Sequence, residues 1–331
     1  MSQTKAQLIA SDATFTISSD ASFNSVSVGK GANSVTGNTV LGESALDASV
    51  SGGFNTAIGN TALTTLTSGT HNTAVGRQGL FSTTTGSNNT AIGSGALASN
   101  TTASNNTAIG LSAMNANTTG SSCVAIGNNA LDANTSGGSN VAIGSYALSE
   151  NTTSSFNTAI GAGALENSTS ANNTALGALA LDAATTGGNN TALGRSAASA
   201  VTSGINNTAA GYAALENSTT GSNLTAIGMN ALHANTTGIN STAVGLNSAA
   251  TNTTGDNNVS MGVNCFRLNT TGGNNTAIGR DALESNTTAS NNTAVGYQSL
   301  VVNTTGEELV AVGRNALGSN TTANHNTAVG A

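Results

Sequence analysis

The side chains able to do acid–base or metal chemistry are few and scattered. His71, His233 and His325 lie many residues apart, and no Asp or Glu pair recurs beside them. A metal site or a general acid–base site needs several such groups converging on one point. Gly29-Lys30-Gly31 and Gly93-Ser94-Gly95 have the glycine density of a phosphate loop, but neither is followed by the Gly-Lys-Ser/Thr and helix that would bind a phosphate. They read as tight corners. Cys123 and Cys265 would sit about eight coils, or ~38 Å, apart at the spacing of stacked strands, against a limit of ~7 Å between the Cα atoms of a disulfide. They read as small residues standing in for Asn and Ala. Asn-x-Ser/Thr triplets such as Asn100-Thr101-Thr102 recur, but repetition explains them and glycosylation depends on the host. The sequence therefore predicts no enzyme, no cofactor and no metal.

What the chain does contain is spacing. Asn88 to Gly93 reads NNTAIG, and a version of it returns along the chain, ending in Gly42, Gly59, Gly76, Gly93, Gly110 and onward to Gly330. The step is 17 residues, with a single step of 16 between Gly161 and Gly177. A period of this size, held this long, predicts a solenoid in which each repeat is one coil and buries its apolar side chains against its neighbours. The expected fold is all-β: a parallel β-solenoid, or β-roll, of about 17 residues per coil. Eighteen coils at ~4.7 Å each would make a rod about 85 Å long.

Comparing copies within the chain shows what each position must do. Before the marker glycine stands Ile, Val or Leu, as in Ile58, Val75 and Ile92; two places earlier stands Thr or Val, as in Thr56, Thr73 and Val124. β-Branched residues at alternate positions predict a short strand with one face at least half-buried. Between them runs an alanine row, Ala57, Ala74, Ala91, Ala108 and onward, broken only by Ser260. Alternation puts this row on the opposite strand face. Its uniformity predicts that both faces are enclosed, one by the coil's interior and one by a second polypeptide, without telling which is which. Four places past the glycine Leu63, Leu80, Leu97 and Met114 begin a second apolar row. Eight places past it every regular coil has Thr, from Thr67 to Thr321. Gly and Asn close the corners, and stacked Asn and Thr are expected to form ladders along the axis. Such fixed apolar rows distinguish the chain from a disordered Ser/Thr/Asn/Gly tract.

Only 6% of the 331 residues are charged and 3% aromatic, with no Pro or Trp, too few large side chains for an ordinary globular core. The net charge of −7 comes from scattered residues and argues against nucleic acid or an anionic membrane surface as partner. No stretch approaches the ~20 apolar residues of a membrane helix, and Met1 to Ala10 lacks the apolar run of a secretory signal. Residues 1–28 lie outside the repeat register and read as a β cap or docking segment. It has two strands, Ala13 to Ser18 and Ala21 to Val28, with Phe15, Ile17 and Phe23 as buried or docking side chains. Residues 29–331 are the rod.

The stretch NNTAIG followed by Ala-Leu, with Cys123 to Gly127 (CVAIG) and Asn140 to Gly144 (NVAIG) as its nearest copies, resembles the head repeats of trimeric autotransporter adhesins of the YadA-like family. It also looks like the NTAIG repeats of bacteriophage tail fibres. The resemblance covers about residues 29–331, with longer coils than the family's. It implies a left-handed parallel β-roll, commonly trimeric, in a fibre or adhesive head, extracellular or on a virion, with a cell-surface receptor or glycan as partner.

Two assemblies follow as expectations. In one, the last coil, ending at Gly330-Ala331 without a capping sequence, is covered by residues 1–28 of the next copy, giving a head-to-tail filament. Its contacts would include Phe15, Ile17, Phe23, Val329 and Ala331. In the other, a parallel homotrimer meets through the rows of Ala57, Ala74, Ala91 and Ala108 or of Ile and Thr. Ice binding is a third class. It wants outward Thr at i and i+2 of one strand, whereas the invariant Thr has Ser or Thr at i+1.

Overall fold

The computed structural model of the chain describes residues 20–331 and shows a parallel β-solenoid. Strand β1 (Ala21–Phe23) and strand β2 (Val26–Gly29) come first, then β3 (Thr39–Gly42) and β4 (Thr56–Ile58). From there every coil contributes one three-residue strand, ending with β20 (Thr327–Val329). Neighbouring coils pair parallel and in register: Thr56 lies opposite Thr73, Ala57 opposite Ala74 and Ile58 opposite Val75. The same pairing continues to Thr327, Ala328 and Val329. The only helical turn among the described residues is a 3₁₀ turn at Ala32–Ser34.

The amino terminus of the described chain differs from the expected single strand over Ala21 to Val28. Asn24 and Ser25 have φ of 51° and 67°, two successive left-handed residues that form a tight hairpin turn. Ala21 to Val28 therefore folds back on itself, with Phe23 opposite Val26, and β2 then runs antiparallel to β3. Two reversals leave β1 running in the same direction as the coils. The expected strand at Ala13 to Ser18, with Phe15 and Ile17, lies outside the described residues.

Why glycine marks every coil is a matter of space and backbone. Gly93 has φ of 134°, and a Cβ there would fall 2.3 Å from the carbonyl oxygen of Gly110 in the next coil. No L side chain fits that stack. The leucine row is less expected. Leu63, Leu80, Leu97 and Leu131 are fully buried yet have φ between 51° and 53°, a region that costs a bulky residue about 1–2 kcal/mol. Burying a whole leucine side chain returns about 1.5–3 kcal/mol, so the row is tolerated because each leucine fills the core.

Hydrogen bonds tie coil to coil along several lines. Beside the strands, backbone bonds repeat on the far side of the coil, as Leu80 N–H to Ala96 O at 3.0 Å and Thr84 N–H to Thr101 O at 2.9 Å. The invariant threonines explain themselves: the Thr118 hydroxyl donates to Thr135 O at 2.9 Å and that of Thr253 to Thr270 O at 2.9 Å, each reaching one coil forward. The second asparagine of each corner pair is buried. Asn190, for example, accepts from Asn207 N–H and donates through Nδ2 to Gly204 O, both at 2.9 Å. A further buried asparagine ladder runs Asn100, Asn117, Asn134, Asn151 and resumes at Asn235. Between them the row reads Ser168, Ala184, Val201 and Ser218. The coil one residue shorter lies in this interval and has lost its residue from the Thr-Thr-Gly corner at Thr169-Ser170.

Candidate interaction surfaces

Strand geometry decides which rows the rod shows. In each strand the central residue is buried and its two neighbours face outward, half-buried or exposed. Ala57, Ala74, Ala91 and Ala108 are 0% exposed. This corrects their expected role as contacts with a second polypeptide: their methyl groups are enclosed by their own coil, and nothing can reach them without opening it. They match in every copy because the interior has room for a methyl group only.

The outward rows are therefore Thr/Val and Ile/Val/Leu. From Thr39 and Leu41 to Thr327 and Val329 neither row contains a charged residue. Leu41, Ile92, Leu176, Leu193, Ile227, Met261 and Ile278 are among the exposed large apolar side chains. The hairpin extends the ridge, since exposed Val28 lies opposite Leu41. Across each strand the outward pair is Thr-x-Ile or its relatives, not Thr-x-Thr. Of the other expected assembly contacts, Phe23 ends β1, Val329 is 77% exposed on β20, and Ala331 is exposed beyond it.

The remaining surface groups meet at one-coil spacing. His233 Nε2 lies 2.9 Å from Glu216 Oε2, His325 Nδ1 2.9 Å from Glu308 Oε2, and Arg267 Nη2 2.9 Å from Glu284 Oε1. Arg280 and Arg314 lie 6.0 and 5.8 Å from the centroid of the Tyr297 ring, and Arg195 lies 5.9 Å from that of Tyr212. Phe54 and His71 stack with centroids 5.0 Å apart. Sequence reasoning had no reason to join these pairs until the coil height was known. No group of three His, Cys, Asp or Glu able to hold a metal is present among the described residues. Burial raises the carboxyl pKa of Asp132 and Asp182, with the neighbouring carboxylates of Glu150 and Glu166 adding to it and backbone N–H groups opposing.

Both cysteines are buried and free. Cys123 takes an asparagine's place in the inner ladder, with its N–H on Asn106 Oδ1 at 2.9 Å and its sulfur accepting from Asn140 N–H at 3.5 Å. Cys265 lies in the other buried alanine row, its Sγ 3.1 Å from Ala277 O. Burial pushes the Cys123 thiol pKa up and that of Cys265 up to about 12. No helix among the described residues is long and apolar enough to cross a membrane. No family model and no curated protein matches the chain.

Proposed function

We propose that the chain is a structural, non-enzymatic rod, the subunit of an extracellular or virion fibre, and that copies of it associate side by side through the Thr/Ile face. The carrying observation is that face itself: two adjacent outward rows, uncharged in every coil and rich in exposed Ile, Leu and Val. Apolar surface that contiguous marks a contact site. A three-residue strand repeated at ~4.8 Å over the length of the rod presents on the order of 800 Å², about what each partner buries in a standard stable interface. The absence of charge lets two such faces meet without desolvating an ion.

The test is assembly mass. Light scattering and electron microscopy of the purified chain should show bundled rods, and Ile109→Lys with Ile126→Lys should yield single rods with an unchanged far-ultraviolet circular dichroism spectrum. A parent chain that is a single rod at micromolar concentration overturns the reading. A head-to-tail filament is a second reading, favoured by the direction of β1, which runs parallel with the coils and pairs only with β2 among the described strands. Removing residues 1–28 separates the two: filaments joined end to end fall to short rods, whereas side-by-side bundles persist.

A further inference from the structure

One edge of the rod is formed by the first residue of each corner pair, exposed in every coil: Phe54, His71, Asn88, Asn105, Ser122, Ser139 and Phe156 in succession. All are left-handed, with φ between 56° and 64°. Asparagine suits that backbone and is the commonest residue on the edge. Phenylalanine does not suit it, because a bulky side chain at positive φ is strained. Phe54 is also 61% exposed and Phe156 66%. Each ring therefore carries two unfavourable features at once, backbone strain and wetted aromatic surface, in a chain with only six phenylalanines. The first ring does not stand freely: it stacks on His71 with an interplanar angle of 17°. On its other side it lies against Gly37 one coil back, where a Cβ would come within 2.7 Å of the ring. The result is a flat aromatic platform along the rod axis.

We infer that this edge binds an uncharged, β-linked linear polysaccharide lying along the rod, with Phe54 and His71 stacking against one sugar and Phe156 against another. Between the rings, Asn88, Asn105, Ser122 and Ser139 offer neutral donors and acceptors once per coil. One coil advances ~4.8 Å, close to the length of one pyranose unit in an extended β-linked chain, so successive hydroxyl groups meet successive amides without a drift in register. Phe54 and Phe156 are six coils, or about 29 Å, apart, which sets the length of sugar chain that engages both. No charged residue stands on this edge between them, so the fit is to a neutral polymer. The inference names the partner of the fibre proposed above. It uses a different row from the Thr/Ile face, and single rods carrying Ile109→Lys and Ile126→Lys should bind sugar as the parent does, so the two readings fail separately.

The experiment is calorimetric titration of the full chain with β-1,4-linked glucose and N-acetylglucosamine oligomers of two to eight sugars, with co-sedimentation on the corresponding insoluble polymers. Affinity for at least one series should rise steeply up to about seven sugars, one per coil from Phe54 to Phe156. Phe54→Ala and Phe156→Ala should each lose about tenfold for long oligomers while leaving short ones affected by one substitution only, and the double variant should lose measurable binding. Both rings are exposed, so the variants should keep the parent's circular dichroism spectrum. No binding to any of these sugars, tighter binding to an acidic polymer such as polygalacturonate, or a double variant that binds like the parent overturns the inference.

Discussion

Replacing Asn190 by alanine tests whether the inner asparagine ladder holds coil to coil. Asn190 is 1% exposed, its Oδ1 takes the Asn207 N–H at 2.9 Å, and its Nδ2 gives a proton to Gly204 O at 2.9 Å. Its own backbone N–H stays on Asn173 Oδ1. The substitution thus removes two bonds and leaves one buried donor and one acceptor with no partner. At about 1 kcal/mol per bond, and more for an orphaned buried group, the local cost is about 2–3 kcal/mol. In a solenoid such a loss stays with the affected coil and its neighbours, so a melting midpoint is a blunt measure. Hydrogen exchange resolved to peptides is sharper: protection of the Asn207 amide should fall by about 30- to 150-fold, at a tenfold change for each 1.4 kcal/mol. Amides more than two coils away should hold. Exchange at Asn207 within threefold of the parent would refute the ladder's role. Asn190→Asp adds a sign. Burial raises the introduced carboxyl's pKa above its unfolded value, so the folded state holds the proton longer, and the variant should be most stable below about pH 4 and weaken as pH rises through the folded pKa.

Three further outcomes follow from the same geometry. Cys123 and Cys265 should resist a thiol reagent at pH 8 in the folded protein, since both are buried with raised pKa, Cys265 to about 12; two equivalents should react after denaturation. Gly93→Ala should cost about 2–4 kcal/mol in urea unfolding, because its Cβ meets the Gly110 carbonyl and its φ is 134°. Asp182, with its pKa raised chiefly by burial, binds its proton more tightly folded than unfolded, so its contribution declines as pH rises from about 4 through its folded pKa. Asp182→Asn should flatten the stability profile across that window, and an unchanged profile would contradict it.

The interval from Ser168 to Ser218 shows how much of this was legible beforehand. The step of 16 residues between Gly161 and Gly177 was visible as a count, and so was the loss of asparagine from Ala184 and Val201. That the missing residue comes from a corner, where the chain can shorten without shifting the strand pairing of Thr158 with Thr174, needed coordinates.

By itself the sequence determined the period, the strand in each coil and the stacking of like on like, because a repeat that cannot bury its own apolar side chains must lay them against its copies. It also marked the corners through Gly and Asn, and the ladders through threonines that never vary. It could not decide the direction of the strand. Alternation separates Ala from Thr and Ile, but which side is interior depends on the width left beneath the sheet. Only the packed coil sets that width, with Leu63 and its successors filling the core from left-handed backbone positions that leucine's own preferences give no reason to expect. The same closure turned the alanines inward, put Ile and Thr on the surface, and aligned Phe54 with His71, residues that only the height of one coil brings into contact.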